Sequence, residues 1–271
     1  MKVAVIITCF NRKEKTINCL AKLRMNDGIE LVFIILDDNS SDGTWEALSG
    51  MKDKMILLRG DGNSYWAGGM RKALSYYLEN EIDSEYVLLM NDDVDMYPHI
   101  IEKMIEFQKE TENVIIGNCC DRFGRQTYGA IKLNSLLKKP MYFHQGIAAS
   151  RENADTFNCN AVLIPAQAVK AVGNFDPIYT HNFADYDYGF MLRKNGYKLQ
   201  GTPFYVGVCE DDSYEGTWID ISLKRKERLK LKESPKGLPQ REWNHFLLKN
   251  LGILYFMRYA YSAKIKIIIG R

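Results

Sequence analysis

"YVLLMNDDVDMYP", residues 86–98, is the stretch that decides the fold. Val87, Leu88, Leu89 and Met90 form an unbroken apolar run of the kind buried on both faces of a parallel sheet. Directly after it come Asp92, Asp93 and Asp95, and Pro98 closes the segment. Carboxylates this close raise one another's pKa unless positive charge sits among them. A core strand that ends this way puts a polar site at its carboxyl end.

Upstream, the same arrangement recurs. "KVAVIITCF" (2–10), "LVFIILDDNSSDGT" (31–44) and "MILLRGDGN" (55–63) are apolar runs that stop in polar or glycine-rich segments. Between the strands, "NRKEKTINCLAKLRM" (11–25) carries Ile17, Leu20 and Leu23 at helical spacing. "TWEALSGM" (44–51) reads as a short helix, and "AGGMRKALSYYLEN" (67–80) as a helix opening at a glycine pair. Strands alternating with helices predict parallel β-α-β units, whose ligands bind at the strands' carboxyl ends. Further on, "NVIIGNCC" (113–120) and "NCNAVLIP" (158–165) read as strands, "AQAVKAVG" (166–173) and "ADYDYGFMLRKNGY" (184–197) as helices.

The chain has 271 residues, 46% apolar and 26% charged, values of an ordinary globular protein. Its net charge of +2 is unevenly spread. Residues 222–271 hold thirteen Lys/Arg against three Glu, a net of +10 that leaves −8 on residues 1–221. No C-x-x-C spacing occurs among the six cysteines, so core thiols are expected rather than disulfides or zinc. The N-terminal apolar run lacks a small-residue cleavage site and is read as a strand. No apolar stretch approaches the ~18–20 residues that span a bilayer.

Each polar strand end admits two readings. For Asp92, Asp93 and Asp95, hard oxygen ligands suit magnesium or manganese, which typically take one or two carboxylates and complete their shell from phosphates and water. The other reading is a solvated turn in which Asp95 or a neighbour caps a helix starting near Pro98. Asp42-Gly43-Thr44 reads as a turn and N-cap. Asp38 sits where a carboxylate would accept the imide N–H of uracil or thymine. A calcium loop is excluded, because Ser49 stands twelfth from Asp38 where glutamate is required. Gly68 and Gly69 at a helix start, with Arg71, would let backbone N–H groups approach phosphate, although neither the P-loop nor the dinucleotide fingerprint is present. Asp185 or Asp187 would serve as a general base, or as an acid favouring a helix dipole.

Taken in order, Thr8-Cys9-Phe10-Asn11, residues 38–44 (DNSSDGT), Trp66-Ala67-Gly68-Gly69, Asn91-Asp92-Asp93 and Asp185-Tyr186-Asp187 resemble the motifs of family 2 glycosyltransferases. The likeness covers about residues 1–212 and is greatest to the bacterial, rhamnosyltransferase-like branch that builds surface polysaccharides. It implies an α/β GT-A fold: a mostly parallel central sheet flanked by helices, with a Rossmann-like nucleotide-binding half (1–98) and an acceptor-binding half (99–216). It further implies inverting transfer from a UDP- or dTDP-sugar to a glycan or lipid-linked acceptor, with Mn2+ or Mg2+.

By position, the resemblance puts Thr8, Phe10 and Asp38 at the base, Asn11 among the nucleotide-binding residues and Asp92 at the ribose or donor sugar. Asp93 falls on the metal ligand, joined by Asp95, and Asp185 on the catalytic base. Three positions depart from the pattern: Asn91 replaces an aspartate, Ala184 a glutamate, and Cys209 a histidine, with Asp211 or Asp212 as substitute ligands. Residues 217–271 are expected to form a basic helical extension. Its apolar and cationic residues suit the inner face of a membrane around an otherwise cytoplasmic protein. Nucleic acid is not expected from an acidic body. Two other classes stay open, a nucleotidyltransferase that makes sugar nucleotides and a non-catalytic glycan-binding protein. The former usually carries a glycine- and arginine-rich loop after its first strand, and "TCFNRKEK" has no glycine.

Overall fold

The structure is a computed structural model that describes residues 1–26, 28–51, 55–137, 141–150 and 152–270. Its first half follows the expected alternation. Strands β1 (Lys2–Cys9), β2 (Glu30–Asp37), β3 (Met55–Arg59) and β4 (Tyr86–Met90) alternate with helices α1 (Lys13–Leu23), α2 (Thr44–Ser49) and α3 (Tyr65–Glu79). The short strand β5 (Asp95–Met96) and helix α4 (Ile100–Thr111) follow. His99 precedes α4 with φ 56°, and no side chain caps that helix, so the aspartates before it are not its caps.

The second half adds β6 (Val114–Cys120), β7 (Ala130–Leu133), β8 (Tyr142–His144), β9 (Thr156–Phe157) and β10 (Ala161–Pro165). Helices α5 (Ala166–Val172) and α6 (Ala184–Lys194) and the bulged strand β11 (Leu199–Val208) complete it. Eight strands form one sheet in the order β3-β2-β1-β4-β10-β6-β11-β5, and β8-β7-β9 form a small second sheet. β1, β2, β3 and β4 are parallel, whereas β10 enters antiparallel between β4 and β6.

β1 shows why the sheet is buried on both sides. Ala4 and Ile6 pack with α3, α5 and α6, while Val3, Val5 and Ile7 pack with α1 and α4. Successive side chains of a strand point to opposite faces, so an unbroken apolar run feeds two cores. Gly69 lets α3 approach β1: a Cβ there would lie 2.9 Å from Thr8 Cβ.

After residue 217 the chain forms α7 (Arg225–Lys232), α8 (Gln240–Phe246), a π-helical turn (Leu247–Leu251), α9 (Ile253–Tyr259) and α10 (Ser262–Ile268). Trp243, Phe246, Leu247 and Tyr259 are buried in the same core as α3 and α6. Polar ties reinforce this packing. Lys249 Nζ lies 2.7 Å from Asp187 and 2.8 Å from Asp176, Asn250 donates to Asp187 at 2.6 Å, and Thr180 donates to Glu242 at 2.8 Å. All six cysteines are free and buried.

Candidate active site

The carboxyl ends of β1, β2 and β4 open on a cleft of about 470 Å³, within the size range of small-ligand sites. Thr8, Phe10, Arg12, Asp38, Trp66, Asn91, Asp92 and Asp93 line it from the first half of the chain. Asn158, His181, Asp185, Cys209, Asp212 and Lys236 line it from the second. The backbone is strained nearby, since Tyr65 begins α3 with φ 52° and Phe183, directly before α6, has φ 67°. Such conformations cost about 1–3 kcal/mol each and cluster at functional sites.

Asp38 organises the β2 end of the cleft. Its carboxylate accepts N–H bonds from Gly62 (3.0 Å), Ser64 (2.9 Å) and Tyr65 (3.2 Å), which tie the β2 end to the start of α3. A carboxylate offers about four lone-pair sites, so one acceptor position is left. Phe10, half exposed, provides an apolar ring in the same cleft. Thr8 donates to the Leu36 carbonyl at 3.3 Å. Asn11 braces the loop, its backbone N–H donating to Ser40 Oγ and its side-chain oxygen accepting from the Ser41 N–H.

The charges at the end of β4 are partly offset from within the chain. Arg12 Nη1 lies 3.1 Å from Asp92 and 2.6 Å from Asp93. Asp92, 3% exposed, also accepts from Thr16 Oγ1 at 3.1 Å. Burial pushes its pKa up to about 6 against the opposing pull of the Arg12 guanidinium. Asn91 is held by Trp66, whose indole N–H donates to it at 2.7 Å. Cys209 Sγ lies 3.9 Å from an Asp93 oxygen and accepts from Asn160 at 3.4 Å.

Asp185 stands at the start of α6, half-buried, and accepts N–H bonds from Cys159 (3.3 Å) and Tyr186 (2.9 Å). Burial raises its pKa from 3.8 to about 6. A carboxylate with a pKa near working pH is suited to general-base chemistry. Asp187, two residues on, faces the other way and is fully buried against Lys249, Asn250 and Tyr179. It anchors the C-terminal helices and does not line the cleft.

Several expected residues lie off the cleft. Gly68 and Gly69 are buried inside α3, which begins two residues before Ala67 rather than at the glycine pair. Arg71 donates to the Tyr179 carbonyl. Asp95 is exposed on β5, 3.6 Å from Lys22. Asp212 lines the cleft, and its backbone N–H donates to the Tyr128 hydroxyl. Conversely, Arg12, His181 and Lys236 line the cleft and were not anticipated. The signal for Arg12 was available, as a cation placed directly after the first strand end. His181 and Lys236 depend on long-range packing.

A metal has partial provision here. Asp92 and Asp93 are the two carboxylates that magnesium or manganese typically uses beside phosphate oxygens. Among the described residues no group of three or more His, Cys, Asp or Glu side chains comes together as a metal cage. Two adjacent carboxylates match only the protein's share of a shell completed by phosphate and water, and Arg12 engages both of them.

Sheet order, cleft position and the paired acidic strand ends define the GT-A class of glycosyltransferase. Glycosyl transferase family 2 matches residues 4–164, and the chain belongs to that family. No curated protein matches it significantly in sequence. Among solved structures it resembles the mannosyltransferase PcManGT from Pyrobaculum calidifontis, in complex with GDP-Man and Mn2+. There the TM-score is 0.61 at 14% identity, covering 98% of this chain and 69% of that one. S. aureus TarS 1-349 in complex with UDP-GlcNAc gives 0.59 at 15% identity, covering 98% of this chain and 76% of that one. At these identities the likeness is one of fold.

Proposed function

We propose that this glycosyltransferase moves a hexosyl or deoxyhexosyl unit from a UDP- or dTDP-sugar to a hydroxyl of a cell-surface polysaccharide or lipid-linked glycan, with inversion. The observation that carries the reading is the convergence of Asp38, the Asp92–Asp93 pair and Asp185 on one cleft. Asp38 receives the base imide N–H at its remaining acceptor position, with Phe10 alongside. Asp185 takes the proton of the acceptor hydroxyl as that oxygen attacks the anomeric carbon. The bond to the diphosphate breaks as the new C–O bond forms on the opposite face, so a single displacement inverts the centre. Mn2+ or Mg2+, held by Asp93 with Asp92, would supply positive charge to the departing diphosphate.

A membrane-bound acceptor is part of this proposal, with the protein peripheral on the inner face of the cell membrane. Ile253, Leu254, Met257, Tyr261 and Ile265 are each more than half exposed on α9 and α10 and the turn between them. Arg258, Lys264 and Lys266 are interleaved with them, and residues 245–270 contain no carboxylate side chain. Exposed apolar side chains interleaved with cations suit an anionic lipid surface. Among the described residues no helix is long and apolar enough to cross a membrane.

The test is a thermal-shift panel of UDP, dTDP, GDP and CDP on the wild type. Ligand at 100 times its Kd adds about 2.7 kcal/mol, or roughly 5–11 °C at ~2–4 °C per kcal/mol. A shift selective for UDP or dTDP is the expected outcome. Silence with all four would remove the donor site.

A further inference from the structure

Two cleft groups have no part in the mechanism above. Lys236 lies in the turn between α7 and α8, outside the residues 4–164 that match the family. Its turn is fixed by hydrogen bonds: the Gly237 N–H donates to Ser234 at 2.8 Å, and the Gly237 carbonyl accepts from Asn182. Lys232 Nζ donates to the Leu238 carbonyl at 2.8 Å. Held this way, Lys236 lines the cleft, and its ammonium pairs with no carboxylate among the described residues.

His181 lies beside Asn182. Its Nδ1 accepts the Trp66 backbone N–H at 3.3 Å, so the ring proton resides on Nε2. Burial first, then the charges of Lys236 and Arg12, push its pKa down to about 4. At neutral pH it offers an uncharged N–H donor, close enough to both cations to feel them. Arg12 is already engaged by Asp92 and Asp93. The cleft thus presents an unpaired ammonium and an imidazole N–H beside a guanidinium.

We propose that Lys236 and His181 bind the diphosphate of the donor, so that nucleoside diphosphate is held without a divalent cation. A divalent ion held by Asp93 with Asp92 would then supply charge for departure of the diphosphate rather than for its capture. The inference rests on the donor reading of the cleft. It also gives the C-terminal segment a direct share in the site.

The experiment is calorimetric titration of UDP and dTDP, with uridine and thymidine as phosphate-free controls, in EDTA and in Mn2+. It is run on the wild type, Lys236→Gln, Lys236→Arg and His181→Phe. Wild type should bind the preferred diphosphate in EDTA within about threefold of its affinity in Mn2+. Lys236→Gln should weaken diphosphate binding by about tenfold or more, the size of a lost charge-assisted hydrogen bond. Nucleoside affinity should not change, and Lys236→Arg should retain most of the diphosphate affinity. The inference is overturned if Lys236→Gln binds diphosphate like the wild type, if nucleoside affinity falls in parallel, or if the wild type needs Mn2+ to bind. Should the wild type bind no nucleotide under either condition, the donor reading itself fails.

Discussion

Asp185→Asn should cut turnover sharply and, above about pH 6, make the fold more stable. The wild-type carboxylate is half-buried, and burial raises its pKa from 3.8 to about 6. Below pH 3.8 the group is protonated in folded and unfolded chains alike, and burial carries no ionic penalty. Between 3.8 and about 6 the penalty grows, and above that range it is complete. A rise of this size corresponds to about 3 kcal/mol, which partial exposure of the side chain reduces to roughly 1.5 kcal/mol. A neutral isostere removes that penalty, giving a Tm increase of about 3–6 °C at ~2–4 °C per kcal/mol. Thermal unfolding of both proteins from pH 4 to 8 reads this directly: the difference should be full at pH 8 and vanish near pH 4. Turnover should fall about 10²–10⁴-fold, the usual contribution of a general base. The wild-type rate should fall as pH drops through about 6, where the base is protonated. Loss of stability at pH 8, or near-normal transfer by the variant, would refute the argument.

Lys249→Met should be costly for the opposite reason. It leaves Asp187, fully buried, with only neutral partners in Asn250 and Tyr179. Breaking such a pair costs about 3 kcal/mol, so Tm should fall by about 6–12 °C, and adding Asp187→Asn should restore much of it. On the membrane side, the protein should sediment with phosphatidylglycerol vesicles and not with phosphatidylcholine. Leu254→Asp with Met257→Asp should abolish that association while nucleotide binding is unchanged, and equal sedimentation of the variant would dismiss the lipid surface.

Much of the first half of the fold was legible because its apolar runs are long and unambiguous. A strand such as residues 87–90, buried on both faces, has to be apolar throughout, and its end stands out by contrast. Direction is not written in such a run. "AVLIP" at 161–165 therefore gave no sign that β10 enters antiparallel between β4 and β6. The acidic cluster was visible, but its counter-charge was not, because Arg12 meets Asp92 and Asp93 only once β1 and β4 are paired. Likewise Asp185 and Asp187 look equivalent in sequence. Only the packing of residues 243–250 separates the one facing the cleft from the one sealed under Lys249.

The tie between α6 and the C-terminal helices also imposes an order in time. Lys249 follows Asp185 by 64 residues, and synthesis at about 5–20 residues per second separates them by roughly 3–13 s. Throughout that interval the newborn chain contains the Asp185 carboxylate without Lys249, and Lys236 joins it only 51 residues after Asp185. The emerging protein therefore passes through a stage in which its sheet is complete and the lining of its cleft is not.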